Sequence, residues 1–315
     1  MTSSRDPKVL LPPLPPQSAP ILFTPEVATK GTTSAERSAP RPLFIFLPGM
    51  DGSGQLLNRQ LEGLGRYFSI RCLSIPVDDS TAWADLAHSI TALVKQELAT
   101  QEAQAVYLCG ESFGGCLALE IAAIAPQLVH RLILVNPASA FARLPWMGAA
   151  SLLAPGLSPL LYDLSATALV PLLIAWNRVE PTDRQALLQA MQALSPKSAA
   201  WRLGLLQKFN LTTLPLTKIT QPTLIIAGSQ DRLLPSVSEA QRLVKLLPSA
   251  KMTVLPESGH ACLLEKNVDL AKILQQQHFL YSPSHFPSHF PLHSPLHPHS
   301  QTKQPLSSPL SWIEA

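Results

Sequence analysis

Gly110-Glu111-Ser112-Phe113-Gly114-Gly115 is the feature that most constrains this chain. It follows the apolar run 105–109, which reads as a buried strand, and it opens the helical run 116–125, which Pro126 ends. Gly-x-Ser-x-Gly between a strand and a helix puts the serine on a strained turn. Side chains two residues to either side would collide with the adjoining strand and helix, hence the glycines. The turn exposes the Ser112 hydroxyl and aims a helix N-terminus at negative charge forming beside it. The five-residue pattern alone is weak, but this strand–turn–helix setting makes Ser112 a candidate nucleophile.

The rest of the chain repeats that alternation. Apolar runs at 43–47, 70–75, 105–109, 132–135, 223–227 and 252–255 read as buried strands. Amphipathic stretches lie between them, the clearest at 82–98 with Leu86, Ile90, Leu93, Val94 and Leu98 on one face. This predicts an α/β fold, a mostly parallel sheet flanked by helices, with the chemistry beyond the carboxyl ends of the strands. Residues 1–41 are rich in Pro, Ser and Thr and are expected to be extended or disordered, although Ile21-Leu22-Phe23 could add an edge strand. The folded domain is expected over 42–281. Residues 282–315 repeat Ser-His-Phe-Pro and then degenerate, and a proline in nearly every period forbids the helix that would align the histidines as metal ligands. A low-complexity His/Pro tail is expected there.

About 85 residues separate the fourth and fifth of these runs. Within them, 144–177 carry one charged residue, Asp163, among many leucines and two tryptophans. A membrane span needs roughly 20 apolar residues in a row, and Pro145, Pro155, Pro159 and Pro171 chop this run. An apolar helical lid at about 139–215 is the expectation, because an inserted apolar cap is where such a fold recognises an apolar ligand. Trp146, Met147, Leu172 and Trp176 are its candidate substrate-contacting residues.

A serine hydroxyl needs a base. In strand–helix sheets of this kind the acid and then the histidine follow the serine on loops after later strands. Run 223–227 leads to Asp231, and run 252–255 leads to Glu257-Ser258-Gly259-His260. Asp231 can therefore orient His260, and His260 can accept the Ser112 proton. Glu257 and Asp269 are poorer acids, since neither follows a strand at the right place. His88, His130 and His278 lack such a context and are expected at the surface. For the oxyanion, one amide is expected from Phe113 and the other from Met50, in the glycine-rich loop 47–54. That loop has neither the Lys-Ser/Thr pair nor the Gly-x-Gly-x-x-Gly spacing of a phosphate-binding loop. The scheme requires no metal and no organic cofactor.

Composition narrows the partners. The balance of 24 basic and 21 acidic residues argues against nucleic acid, and a charged fraction of 14% is low, which suits work near lipid. The four cysteines, Cys72, Cys109, Cys116 and Cys262, show no metal-ligand spacing and read as reduced, buried thiols. No secretory signal is legible, so a cytoplasmic chain is expected; peripheral membrane association is compatible with this, and contact of the lid with a membrane is left open.

Beyond these features, five segments resemble the phytyl ester synthase family of plastids and cyanobacteria, within the α/β-hydrolase superfamily. They are Leu47-Pro48-Gly49-Met50-Asp51-Gly52-Ser53-Gly54, Cys72-Leu73-Ser74-Ile75-Pro76-Val77, the elbow through Leu119, Leu132-Ile133-Leu134-Val135-Asn136-Pro137-Ala138 and Glu257-Ser258-Gly259-His260. The resemblance covers roughly residues 42–281. It implies an α/β-hydrolase fold acting on an acyl lipid or ester, with an alcohol acceptor such as phytol. The family also carries an acyltransferase half with a His-x-x-x-x-Asp motif, and no histidine here meets an aspartate at that spacing, so only the hydrolase half is expected. An acyl hydrolase or acyltransferase working through an acyl-enzyme on Ser112 follows. A small-ester hydrolase, a cofactor-free haloperoxidase-type enzyme and a non-catalytic partner of a separate acyltransferase stand as alternatives. Haloalkane dehalogenation is excluded, since it needs a carboxylate nucleophile at the elbow.

Overall fold

Strands that are buried along their whole length need both faces covered, and three runs of this chain meet that demand. The computed structural model describes residues 17–26, 41–100, 105–144 and 159–280. Strand β1 (Ile21–Phe23) precedes β2 (Leu43–Leu47), the short helix α1 (Leu61–Leu64), β3 (Ser69–Ser74), α2 (Trp83–Thr100), β4 (Val106–Glu111), α3 (Phe113–Ile124) and β5 (Arg131–Val135). Helices α4 (Pro159–Leu173), α5 (Pro181–Ala193) and α6 (Pro196–Lys208) come before β6 (Thr223–Gly228), α7 (Ser236–Leu246), β7 (Ala250–Leu255) and α8 (Leu270–Gln276). The sheet runs β1-β3-β2-β4-β5-β6-β7. Among the described strands, only β1 pairs antiparallel, with Leu22 opposite Leu73; the other strand pairs are parallel.

All six anticipated strands form, and the Ile21-Leu22-Phe23 edge strand with them. Their ends differ. Strand β4 continues to Glu111 and α3 begins at Phe113, so Ser112 alone makes the turn. Every residue of β2, β4 and β6 is buried, whereas the edge strand β7 is half open. Helix α2 buries Leu86, Ile90 and Val94, while Leu93 and Leu98 are only half-buried. The core between sheet and helices includes Ile45, Leu108, Leu117, Leu134 and Ile225, all at 1% exposure or less. Truncating one such side chain to alanine costs about 2–5 kcal/mol, because the close-packed surroundings relax only partly.

The long connection from β5 to β6 holds α4, α5 and α6. Pro159 begins α4 and Pro171 lies inside it, so neither breaks the described part of the apolar run. Val170, Ile174, Val179 and Leu187 of this segment form a second apolar cluster with Leu56 and Leu264 of the body. Among the described residues, no helix is long and apolar enough to cross a membrane. The four cysteines are free and buried. The His/Pro tail, most of the Pro-rich first 41 residues, and the candidate contacts Trp146 and Met147 lie outside the described residues.

Candidate active site

The site begins with a strained residue. Ser112 has φ 53° and ψ −113°, a region that side chains other than glycine rarely occupy. The surroundings hold it there: its N–H donates to the Val135 carbonyl (3.0 Å), and its carbonyl accepts from Gly115 (2.9 Å) and Ala138 (3.0 Å). Gly114 lets α3 pass under β2, since a Cβ at that position would overlap the Leu47 carbonyl.

His260 Nε2 lies 2.8 Å from Ser112 Oγ, and His260 Nδ1 lies 2.7 Å from Asp231 Oδ2. Both partners of the second bond are buried. Asp231 accepts through Oδ1 from the Leu233 and Leu234 amides, each at 2.9 Å, and through Oδ2 also from the Ser236 hydroxyl. An ionised carboxylate only accepts, so the imidazole proton sits on Nδ1 and the Nε2 lone pair faces the serine hydroxyl. Burial raises the cost of the Asp231 charge, but His260, Ser236 and the Leu234 amide together hold its carboxyl below the usual range. Burial likewise opposes a charge on His260, yet the Asp231 carboxylate and its hydrogen bond, helped by Glu111, lift the imidazole above its ordinary value.

The oxyanion candidates flank the serine. The Phe113 amide is the first of α3 and has no acceptor one turn back. The Phe113 ring is fixed by stacking on Trp83 at 4.6 Å. Met50 stands in the turn Gly49–Gly52, closed by a 3.0 Å bond from the Gly52 N–H to the Gly49 carbonyl. This turn passes directly over the elbow: a Cβ on Gly49 would lie 3.9 Å from Ser112 Cβ.

The other candidates separate. Glu257 is exposed and meets Arg178 at 3.4 Å, and Asp269 caps α8 by accepting from the Lys272 amide. Among the described residues, neither has a hydrogen bond to His260. His88 is exposed, as expected. His130 is half-buried instead, because its Nδ1 accepts the Val106 amide at 3.1 Å. Leu172 is half-buried on α4. Trp176 is 53% exposed, with Arg184 over its ring at 4.3 Å. No hydrogen bond or ring contact joins Trp176 to Ser112, Asp231 or His260 among the described residues. Nor do those residues contain a cluster of three side chains fit for a metal ion.

Several residues around the site were not singled out by sequence reasoning. Asn136, at φ 42° and fully buried, donates to the His260 carbonyl (2.6 Å) and accepts from the Gly228 amide (2.8 Å). Glu265, also fully buried, accepts from Ser258 Oγ (2.9 Å), the Gly259 amide (2.8 Å) and Arg178 Nε (2.6 Å). The histidine loop is thereby pinned to the connection that carries the helices, and the Ala261 amide adds a 2.8 Å bond to the Leu173 carbonyl. Glu111 is buried beside Ser112, and its Oε1 has no hydrogen-bond partner among the described residues. Burial pushes its carboxyl up to about 8. An Asn directly after a strand and a Glu beside the elbow serine are visible signals, but what they touch is not.

Comparison with known proteins gives the family and the fold. The model of the alpha/beta hydrolase family matches residues 44–273. Phytyl ester synthase 1, chloroplastic, of Arabidopsis thaliana is 33% identical over 267 residues, covering 74% of this chain and 36% of the plant protein. The chain thus spans little more than a third of that relative's length. The pimeloyl-[acyl-carrier protein] methyl ester esterase of Vibrio campbellii is 30% identical over 229 residues, covering 70% of this chain and 88% of the esterase. MenH from S. aureus superposes with a TM-score of 0.63 at 17% identity, over 83% of this chain and all of that one, a likeness of fold.

Proposed function

We propose that this chain, which belongs to the alpha/beta hydrolase family, is a serine-dependent acyl hydrolase or acyltransferase acting on fatty acyl esters. The observation that carries the reading is the unbroken line of hydrogen bonds from Asp231 through His260 to Ser112, at 2.7 and 2.8 Å. Ser112 Oγ attacks the ester carbonyl while its proton moves to His260 Nε2. The oxyanion is received by the amides of Met50 and Phe113. On collapse, the C–O bond to the leaving group breaks, and His260 returns the proton to the departing alkoxide. Water or an acceptor alcohol then gives its proton to His260 and attacks the acyl-enzyme, releasing the acid or a new ester and restoring Ser112.

Two observations favour a lipid substrate. The plant relative is named for making phytyl esters. Helix α4 also turns Leu161, Leu164, Ala168 and Pro171 outward, with Leu161 and Leu164 more than half exposed, where a surface helix ordinarily carries charge. On this reading α4 is the face that meets a membrane peripherally, and an alcohol such as phytol is a candidate acceptor. The similarity over most of the Vibrio esterase's length supports a second reading, hydrolysis of a smaller acyl ester without transfer. The test is incubation with a fatty acyl galactolipid or an acyl-CoA, with and without phytol, against Ser112→Ala. Free fatty acid lost in the variant supports hydrolysis, and Ser112-dependent phytyl ester supports transfer. Turnover of a short methyl ester alone favours the second reading. Folded protein with none of these products counts against all three.

A further inference from the structure

Arg202 is 1% exposed, the largest fully buried side chain among the described residues, and it comes from α6, outside the sheet core. A buried guanidinium is costly unless its donors are met. Nη1 of Arg202 donates to the Met50 carbonyl at 2.7 Å, and Nη2 donates to the Pro76 carbonyl at 2.9 Å. The Asp51 carboxyl adds electrostatic attraction and is itself held by the Ser53 amide at 2.8 Å. The fit leaves no slack. Gly52 has φ +70°, and a Cβ on it would overlap the guanidinium.

We propose that Arg202 is a positioning residue for the oxyanion hole, gripping the Met50 carbonyl so that the Met50 amide stays aimed at the substrate oxygen. The inference rests on the reading of Ser112 as an acyl-transfer nucleophile. The turn carrying Met50 is closed at one side by the Gly49–Gly52 bond and at the other by Arg202. The Met50 N–H lies in the rigid peptide plane of the Gly49 carbonyl, which the Gly52 amide holds, and Arg202 anchors the next plane through the Met50 carbonyl, so the hinge at Met50 joins two fixed planes and the N–H keeps its direction. Without the guanidinium, the half-buried Met50 carbonyl loses this partner, and glycines at 49 and 52 let the turn rotate at little cost. Oxyanion competence then depends on α6 being docked, which couples the inserted helices to the chemical step.

The competing explanation is a staple that only holds α6 to the body. The two separate on the rate of phosphonylation by an alkyl fluorophosphonate. In that reaction the Ser112 Oγ–P bond forms, fluoride leaves, His260 takes the proton, and the P=O oxygen occupies the oxyanion hole. Arg202→Met keeps the stem and removes the donors; Arg202→Lys keeps the charge but not the fork. In Arg202→Met, we expect the phosphonylation rate constant and kcat for an ester to fall together about 100-fold. KM should stay within about threefold, and labelling should still end at one phosphonate per chain. Arg202→Lys is expected to recover about tenfold of the loss. A wild-type rate constant in folded Arg202→Met, or a loss confined to KM, overturns the inference. If Arg202→Met does not fold, Arg202→Lys decides, and phosphonylation at the wild-type rate overturns it. Wild-type protein that is folded but never labelled brings down the nucleophile reading instead, whereas labelled wild type with equally fast Arg202 variants brings down only this inference.

Discussion

The Nδ2 of Asn136 lies 2.6 Å from the carbonyl of His260, joining the end of β5 to the loop after β7 across the intervening strand β6. Its Oδ1 accepts the Gly228 amide at the end of β6, so one buried side chain ties three strand ends together. Asn136→Ala removes both bonds and leaves buried backbone groups unpaired at a positive-φ position where alanine is strained. The expected loss is about 2–4 kcal/mol in urea unfolding, accompanied by a lower kcat as His260 drifts. Unchanged stability would show that the loop is held by its other contacts alone.

Asp231 and Glu257 both lie near the histidine loop, but only Asp231 has a hydrogen bond to the imidazole. Asp231→Asn offers the imidazole a donor as readily as an acceptor and so permits the wrong tautomer. Ester hydrolysis should fall about 10³–10⁴-fold in kcat. Glu257→Gln, on an exposed carboxylate, should stay within about twofold of wild type. Steady-state kinetics on one chromogenic ester would check both, and a large loss in Glu257→Gln would contradict the assignment of the acid.

The pH profile follows from the same pair. The proposed mechanism needs neutral His260, and the Asp231 carboxylate raises the imidazole above its ordinary value against the effect of burial. The acid limb of kcat/KM should therefore lie above about pH 6.5. In Asp231→Asn the residual activity should show that limb shifted to lower pH, because the lifting charge is gone. A limb that does not move would mean that another group sets it.

Glu111 gives a stability test independent of turnover. Its carboxyl is raised by burial to about 8 in the folded chain, against 4.5 ordinarily. Between those values the unfolded chain has lost this proton while the folded chain keeps it. Stability attributable to Glu111 is thus complete below about pH 4.5, falls as pH rises toward 8, and is level above that. The drop should be a few kcal/mol in urea unfolding, and Glu111→Gln should abolish most of it. Parallel pH dependence in wild type and variant would exclude Glu111 as the source.

Much of this was legible along the chain because the responsible patterns are local. Apolar runs five residues long reported β2, β4 and β6, since central parallel strands are buried on both faces and need no polar alternation. The edge strand β1 was legible only as a short apolar tripeptide, because its pairing with β3 depends on what the sheet leaves open. The half-burial of His130 escaped notice because its partner, the Val106 amide, is supplied by another element.

The elbow, the placing of Ser112, Asp231 and His260 on successive post-strand loops, and the layered fold that carries them are written along the chain, because glycine geometry and apolar periodicity act over a few residues. What surrounds that line came from folding alone. Asn136 under His260, Glu265 under Gly259, and Arg202 on Met50 are single polar residues 124, 6 and 152 positions from the groups they hold. A lone buried polar side chain has no periodicity to read. Its role exists only where the fold brings it a partner, and burial then makes that partner obligatory.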